Sequence, residues 1–231
     1  LNFGQTPENN PGLVKDIADD QDRPYVFETG GGKLFIGTYP AYGQLGGAIT
    51  VHDDSDNSWI TYRNVVENQS IFGLAYSDAD GKLYGGTPVY GGLGIDPSEE
   101  KAKIFVWDVA AAQKVEEFEV NVPGIEFPKQ IGDLTFDENG LLWGGIAGLD
   151  SNGKAVAGIF AYDPAGKKVE KSKVLVQRDA VDSMFRPYYM RWENNLLYTT
   201  IGRQLIVVEP ATLKYTKLLD QTVNLMTVGL D

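Results

Sequence analysis

The string Lys33-Leu34-Phe35-Ile36-Gly37-Thr38 (KLFIGT) decides the fold, because the chain repeats its pattern three more times. Each copy has an aliphatic residue, then an aromatic residue, then small residues. The copies read KLFIGT from Lys33, KLYGGT from Lys82, LLWGGI from Leu141 and LLYTTI from Leu196. Their leucine anchors, at positions 34, 83, 142 and 197, are 49, 59 and 55 residues apart. A repeat of this length indicates a fold built from similar units.

Three further strings accompany each copy. The string that follows alternates like a β-strand and closes on an acid, at Asp53, Asp108, Asp163 and Glu209. The string that precedes ends in Gly, Asp or Asn, which is a hairpin signal. The trailing string alternates polar and apolar residues, as exposed edge strands do. Each repeat therefore reads as four antiparallel strands, which is the pattern of a β-propeller blade.

The sequence predicts an all-β chain, a β-propeller of four-stranded antiparallel blades, with four recognisable blades and no helix. A β-sandwich is the alternative, but it gives no reason for one four-strand phrase to occur four times. The expected blades span residues 23–66, 67–125, 126–181 and 182–224. The expected innermost strands span residues 24–29, 72–77, 132–137 and 188–193.

The first aromatic residue of each second strand occupies one register in all four repeats. These residues are Phe35, Tyr84, Trp143 and Tyr198. Since side chains alternate between the two faces of a strand, all four point to the same face of their sheets. We expect them to pack between adjacent blades, and we expect His52, at the end of a third strand, to have a packing role as well.

The ends of the third strands carry a resemblance to known propellers. Val106-Trp107-Asp108 and Ala161-Tyr162-Asp163-Pro164 resemble the strand endings of WD-repeat, YVTN and quinoprotein-like blades. The strings from Lys33 and Lys82 are similar to blades of bacterial extracellular propellers. The resemblance covers residues 13–231 and implies a propeller at an extracellular or cell-surface location. The Gly-His pair that opens a true WD repeat is missing.

Both ends of the chain predict incomplete blades. Residues 225–231 read as the first strand of a further blade, and residues 12–17 read as the fourth strand of a preceding one. We therefore expect a piece of a seven- or eight-bladed propeller, whose remaining blades are partners of this one. A ring of four or five blades with irregular end pieces is the alternative.

Composition excludes several classes of function. The chain has 231 residues and a formal net charge of −12, which argues against binding to nucleic acid phosphates. It has no cysteine and one histidine, so it has neither thiolate zinc ligands nor a multi-histidine metal site. It contains no apolar run long enough for membrane insertion.

No cofactor is predicted, and calcium is the one metal candidate. Residues 53–57 (DDSDN) have the alternating acidic spacing of a calcium loop, but they lack the glycine and the distant glutamate of an EF-hand. The acids at 78–81 and 137–140 fall where the first hairpin of a blade must turn. Asp and Asn suit such turns without any metal.

The loops between second and third strands are candidate ligand sites, because loops on rigid scaffolds often carry function. In the first two blades they share a proline near a tyrosine, followed by Gly-x-Leu-Gly or Gly-Gly-Leu-Gly. Tyr39, Tyr42 and Tyr90 could stack on sugar rings or contact a protein partner. The alternative is that the tyrosines cover the blade packing and the glycines form the turns.

An Arg-Pro-Tyr triplet occurs 11 residues before the leucine anchor in two blades, as Arg23 with Tyr25 and as Arg186 with Tyr188. This places it at the entry to the innermost strand, beside the channel mouth. Arginine there could bind a carboxylate bidentately, and Arg191 on the same inner strand could add positive charge. The alternative is that each arginine pairs with an acid of a neighbouring blade.

We expect a non-catalytic binding or scaffold module of a secreted or surface protein, with a carbohydrate or protein ligand. The alternative is part of a propeller enzyme, either a lyase acting on acidic polysaccharide or a lactone hydrolase. A lyase needs a positive group to neutralise a uronate and a base to remove the adjacent proton. Arg23 or Arg186 could be that positive group, and Tyr25 or Tyr188 that base. No phosphate loop, dinucleotide fingerprint or nucleophile elbow is present.

Overall fold

The structure is a computed structural model that describes residues 15–17, 19–178, 189–219, 223 and 226. These residues form sixteen β-strands and no helix. The strands make four antiparallel sheets of four strands, and each sheet joins strands that follow one another in the chain. The prediction of an all-β propeller with four-stranded antiparallel blades is confirmed. The part of the chain described here has no helix that could cross a membrane.

The first two sheets run from the innermost strand to the outermost. Blade 1 contains β1 (Gln21–Gly30), β2 (Lys33–Pro40), β3 (Ala48–Asp53) and β4 (Ser58–Arg63). Blade 2 contains β5 (Gly73–Ser77), β6 (Lys82–Gly86), β7 (Ile104–Asp108) and β8 (Gln113–Phe118).

The third and fourth sheets have the same order of strands. Blade 3 contains β9 (Phe127–Phe136), β10 (Leu142–Leu149), β11 (Ala155–Asp163) and β12 (Lys168–Arg178). Blade 4 contains β13 (Tyr189–Glu193), β14 (Leu196–Ile201), β15 (Gln204–Val208) and β16 (Tyr215–Lys217). The end pieces that were predicted as partial strands fall almost entirely outside the described residues.

The innermost strand of blade 3 begins five residues before its predicted start at residue 132. The extension pairs with the connection that leaves β6 in blade 2. The Val89 N–H donates to the Lys129 carbonyl at 2.9 Å, and the Ile131 N–H donates to the Thr87 carbonyl at 2.8 Å. These bonds satisfy backbone groups that would otherwise lie unpaired at the inner edge of the sheet.

Apolar clusters fill the spaces between consecutive blades. Phe35 of blade 1 packs with Leu74 and Leu83 of blade 2 in one cluster. Two further clusters join blade 2 to blade 3 and blade 3 to blade 4, and they contain Tyr84 and Trp143 respectively. Burying a side chain of this size stabilises the fold by roughly 1.5–3 kcal/mol.

The predicted inter-blade position is confirmed for three of the four aromatic residues. Phe35, Tyr84 and Trp143 have side chains that are 0%, 5% and 1% exposed. Tyr198 is only half-buried, and the three clusters found among the described residues do not include it. For Tyr198, in blade 4, the prediction is not borne out among the described residues.

A hydrogen bond ties the second-strand aromatic residue to the hairpin turn before it. In blade 3 the Trp143 indole Nε1–H donates to Asp137 Oδ2 at 2.9 Å. In blade 2 the Tyr84 hydroxyl donates to Asp80 Oδ2 at 3.0 Å. Blade 1 has Phe35 at this position, which has no polar atom, and its turn is made of glycines. In blades 1 to 3, an acid in the turn is therefore present where the strand aromatic has a polar atom and absent where it has none.

We expect the Asp137→Ala variant to lose about 2 kcal/mol of unfolding free energy. Asp137 Oδ1 accepts the backbone N–H groups of Asn139 and Leu141, both at 2.9 Å, and Oδ2 accepts the buried indole of Trp143. Urea denaturation followed by tryptophan fluorescence measures the loss. The control is Glu138→Ala, which removes an exposed acid from the same turn and should change stability by less than about 0.5 kcal/mol. Equal losses of unfolding free energy in both variants would show that the Asp137 hydrogen bonds do not stabilise the hairpin.

Candidate functional site

The four innermost strands line a common cavity, the central channel, with a volume of about 840 Å³. This volume falls in the range of small-molecule sites in proteins. Each blade contributes to its wall, since β1, β5, β9 and β13 all face it. The lining residues are Pro24, Tyr25, Val26, Phe27, Glu28, Phe72, Ala75, Tyr76, Asp133, Leu134, Thr135, Phe136, Tyr189 and Arg191.

Asp133 on β9 joins blade 3 to blade 4 at the channel wall. Its Oδ2 atom accepts the backbone N–H of Met190 at 2.9 Å and the guanidinium Nη1 of Arg191 at 2.9 Å. Asp133 is 7% exposed, and its burial raises the pKa to about 6, although Arg191 and the Met190 hydrogen bond lower it. The Arg191 side chain is 45% exposed, so the ion pair is open to the channel on the arginine side.

Glu28 is a second carboxyl group of the channel and lies on β1, opposite Phe35 of β2. The pKa of Glu28 is raised to about 7, mainly by burial and in part by the negative charge of Asp133. The positive charge of Arg191 and backbone hydrogen bonds to Thr29 and Tyr76 act in the opposite direction. Glu28, Asp133 and Arg191 thus form one electrostatic group built from three blades.

Aromatic rings form the wall of the channel on the side of blades 1 and 2. Tyr25 stacks on Phe72, with ring centroids 4.2 Å apart and an interplanar angle of 11°. Tyr39 packs edge-on against both rings, at 5.6 Å from Tyr25 and 5.0 Å from Phe72. Phe27 also lines the channel, and its side chain is 59% exposed. Two predicted site residues, Tyr25 and Tyr39, therefore lie together here.

The structure also brings together the two glycine-rich loops that the sequence singled out. The Gly43 N–H donates to the Leu93 carbonyl at 2.7 Å, which joins the loop of blade 1 to that of blade 2. Tyr42 is 79% exposed on this joined loop, whereas Tyr90 is half-buried. Burial raises the pKa of the Tyr90 hydroxyl, and the Tyr90 carbonyl accepts the Ser70 N–H at 3.2 Å.

The Arg-Pro-Tyr triplets are described only in part. Arg23 lies 3.7 Å from Asp22, both side chains are about half exposed, and Arg23 is not among the residues that line the channel. Arg186 and Tyr188 lie outside the described residues. The expectation that Arg23 and Arg186 share one channel mouth stays a prediction.

The acidic loops hold themselves together through local hydrogen bonds. Asp53 accepts hydrogen bonds from Lys33 and Ser55, and Asp56 accepts the Ser58 N–H at 2.9 Å. Within the described ranges no group of three acidic or histidine side chains could hold a metal ion. His52 stacks on Trp59 at 4.3 Å, and its ring nitrogens contact Asn57 and Asp54.

Sequence reasoning missed the two channel carboxyls. Glu28 and Asp133 do not recur at the same register in the other repeats, so the repeat pattern does not mark them. A usable signal was present, because Asp133 is a charged residue inside the apolar stretch Ile131-Gly132-Asp133-Leu134. A charge in such a strand rarely lies buried without a partner. Its partner, Arg191, was singled out, but for a different reason.

Comparison with known proteins supports the propeller fold and leaves the family open. No protein-family model matches the chain, and no curated protein matches it. Among solved structures, the Hadza microbial sialidase Hz136 aligns with a TM-score of 0.57 at 12% identity, over 87% of this chain and 46% of that one. The Trypanosoma rangeli sialidase aligns with a TM-score of 0.59 at 10% identity, over 91% of this chain and 40% of that one.

A third similar structure is an α-L-arabinofuranosidase (CtGH43) from Clostridium thermocellum. Its TM-score is 0.52 at 12% identity, and the alignment covers 83% of this chain and 70% of that one. The chain spans less than half the length of the two sialidases. At these identities the likeness shows the fold alone, which is a β-propeller.

We expect the unfolding free energy to fall as the pH rises from about 4 to about 7. Glu28 and Asp133 have pKa values raised above those of the unfolded chain, so the folded state holds protons that the unfolded state releases in this window. Glu28→Gln should make the slope shallower, whereas the exposed Glu138→Gln should keep the wild-type slope. Urea denaturation at several pH values measures it. If the unfolding free energy has the same pH dependence in Glu28→Gln as in Glu138→Gln, Glu28 does not have the raised pKa.

Proposed function

We propose that this chain is a carbohydrate-binding β-propeller module of a secreted or surface protein, and that a saccharide enters its central channel. The observation that carries the proposal is the channel itself. It has the volume of a ligand site, a stacked aromatic wall of Tyr25 and Phe72, and a few convergent polar groups. The structural similarity to a sialidase and an arabinofuranosidase supports the same class of ligand.

A saccharide suits this mixture of surfaces. The apolar face of a sugar ring can pack on an aromatic side chain, and Phe27, which is 59% exposed, is one of the residues that line the channel. The hydroxyl groups of a sugar both donate and accept hydrogen bonds. Glu28 can therefore accept a hydrogen bond from a sugar hydroxyl, and Arg191 can donate one to a hydroxyl oxygen.

The charges of the described channel favour a neutral saccharide over a carboxylated one. Arg191 already forms an ion pair with Asp133, and Glu28 adds a second carboxyl to the same wall. Two acids therefore face one guanidinium, so this wall offers no net positive charge to a ligand carboxylate, whether or not Glu28 is protonated. A preference for uronates would instead depend on Arg186, as the sequence analysis expected.

Binding without catalysis is favoured by the role of Asp133. Hydrolysis of a glycosidic bond uses two carboxyls, one as general acid and one as base or nucleophile. Asp133 already accepts hydrogen bonds from Met190 and Arg191, which fasten blade 3 to blade 4. This leaves Glu28 as the second carboxyl of the described channel wall, without a partner acid for the reaction.

Glycoside hydrolysis is the second candidate, and one observation favours it. The pKa of Glu28 is raised to about 7, so this carboxyl holds a proton near neutral pH, as a general acid must. The lyase expected from the sequence would rely on Arg23 or Arg186 with Tyr25 or Tyr188. It stays a proposal that depends mainly on residues beyond those described.

The test is isothermal titration of the protein with neutral arabino-, xylo- and cello-oligosaccharides, and in parallel with uronate oligosaccharides and sialyllactose. We expect a neutral series to bind and the Phe27→Ala variant to bind it roughly tenfold more weakly. Phe27 is exposed, so its removal should cost little stability. Tyr215→Ala, which removes an exposed ring from the outermost strand of blade 4, is the matched control and should bind like wild type.

Two outcomes would overturn the proposal. Absence of binding to every saccharide would remove the carbohydrate class, and equal binding by wild type and Phe27→Ala would move the ligand away from the channel. If wild type releases new reducing ends from an oligosaccharide and Glu28→Gln does not, the function is glycoside hydrolysis and the proposal of binding without catalysis is wrong. Preferred binding of uronates would instead support a site built on Arg23 and Arg186.

A further inference from the structure

Tyr42 is the most exposed of the large apolar side chains of the described residues, at 79%. It lies in the loop that follows β2, outside the channel wall. Two apolar neighbours from the loop of blade 2 are also exposed, Leu93 at 47% and Ile95 at 38%. An aromatic ring left open to water on a rigid loop is a recognised feature of ligand sites.

The Tyr42 ring packs against the backbone of the blade 2 loop, at Gly94. A Cβ atom on Gly94 would overlap the ring, so the ring lies directly against this glycine. Gly94 has a φ of +75°, a conformation that glycine adopts without strain. Because Gly94 backs one side of the ring and 79% of the side chain is exposed, a broad surface of the ring is open to a ligand.

Further hydrogen bonds and close contacts fix the loop that carries Tyr42. The Ala41 N–H donates to the Asp20 carbonyl at 2.6 Å, and the Gly43 N–H donates to the Leu93 carbonyl at 2.7 Å. Gly91 and Gly92 allow the two loops to approach, since a Cβ at either position would overlap the backbone or side chains of residues 44–45. The loop backbone that carries the ring is therefore anchored before any ligand arrives, which lowers the entropic cost of ordering the loop on binding.

Tyr42 lies at the same end of blade 1 as the aromatic wall of the channel. Tyr39, three residues earlier, packs on Tyr25 and Phe72. The Asp20 carbonyl that fixes Ala41 lies directly before β1, the strand that carries Tyr25 and Glu28 into the channel. The loop therefore follows directly in the chain from Tyr39, which packs on the aromatic wall of the channel.

We propose that Tyr42 forms a second sugar-binding subsite, so that the ligand is a neutral oligosaccharide which extends from the central channel onto this loop. This inference rests on the proposed function of the channel. A single ring with two aliphatic neighbours matches one sugar ring in size. It is much smaller than the area that a stable protein partner would bury.

The experiment is isothermal titration with xylo- and arabino-oligosaccharides of two to six residues. We expect wild type to bind the hexasaccharide at least roughly tenfold more tightly than the disaccharide, and Tyr42→Ala to reduce this difference to about twofold or less. Tyr42→Phe keeps the ring and should restore the length dependence. Phe27→Ala should weaken binding of both lengths, because both occupy the channel.

The outcomes separate the two proposals. If Tyr42→Ala keeps the wild-type preference for long oligosaccharides, the subsite is wrong and the channel proposal stands. If wild type binds no oligosaccharide of either series at any length, the proposed function fails for these ligands, and the subsite fails with it. Thermal unfolding of Tyr42→Ala should match wild type, since the side chain is exposed, and this excludes a folding defect as the cause.

Discussion

The structure depends on the need of each sheet to bury its apolar face against the next sheet. In the described chain no helix covers the sheets, so sheet must pack on sheet, and the rings of Phe35, Tyr84 and Trp143 fill the gaps between them. This packing arranges consecutive blades around a common centre. The central channel is the space that remains where the innermost strands meet, and its lining follows from that arrangement.

The innermost strand of a blade is an edge strand, with backbone groups that have no neighbouring strand on the channel side. The chain satisfies such groups with side chains and connections from adjacent blades. Asp133 accepts the Met190 N–H across the space between blades 3 and 4, and Ile131 donates to the Thr87 carbonyl of blade 2. Asp133, which accepts the Met190 N–H, also binds Arg191 at the channel wall, so one residue both joins the blades and positions a group of the candidate site.

The channel and the Tyr42 loop, the two proposed binding surfaces, are built by different physical means. In the channel, burial raises the pKa values of Glu28 and Asp133 and makes their protonation sensitive to one another and to Arg191. On the loop, Gly94 lets the backbone approach the Tyr42 ring, which is 79% exposed to solvent. Together they describe a protein that would recognise a ligand by stacking and hydroxyl contacts, with limited use for net charge.

The sequence by itself determined the blades, because a four-strand phrase repeated at similar spacing leaves few ways to bury its apolar positions. It also determined three of the four inter-blade aromatics, since the two-residue period of a strand fixes the face on which each ring lies. Only the tertiary structure decided which side chains meet at the site. Asp133 and Arg191 are 58 residues apart and lie on different sheets, and neither residue type recurs at the same register of the other repeats. Local pattern carries no information about such a contact, because it depends on how one sheet is rotated against the next. The same reason explains why Tyr42 could be named from its loop, whereas its support by Gly94 could not.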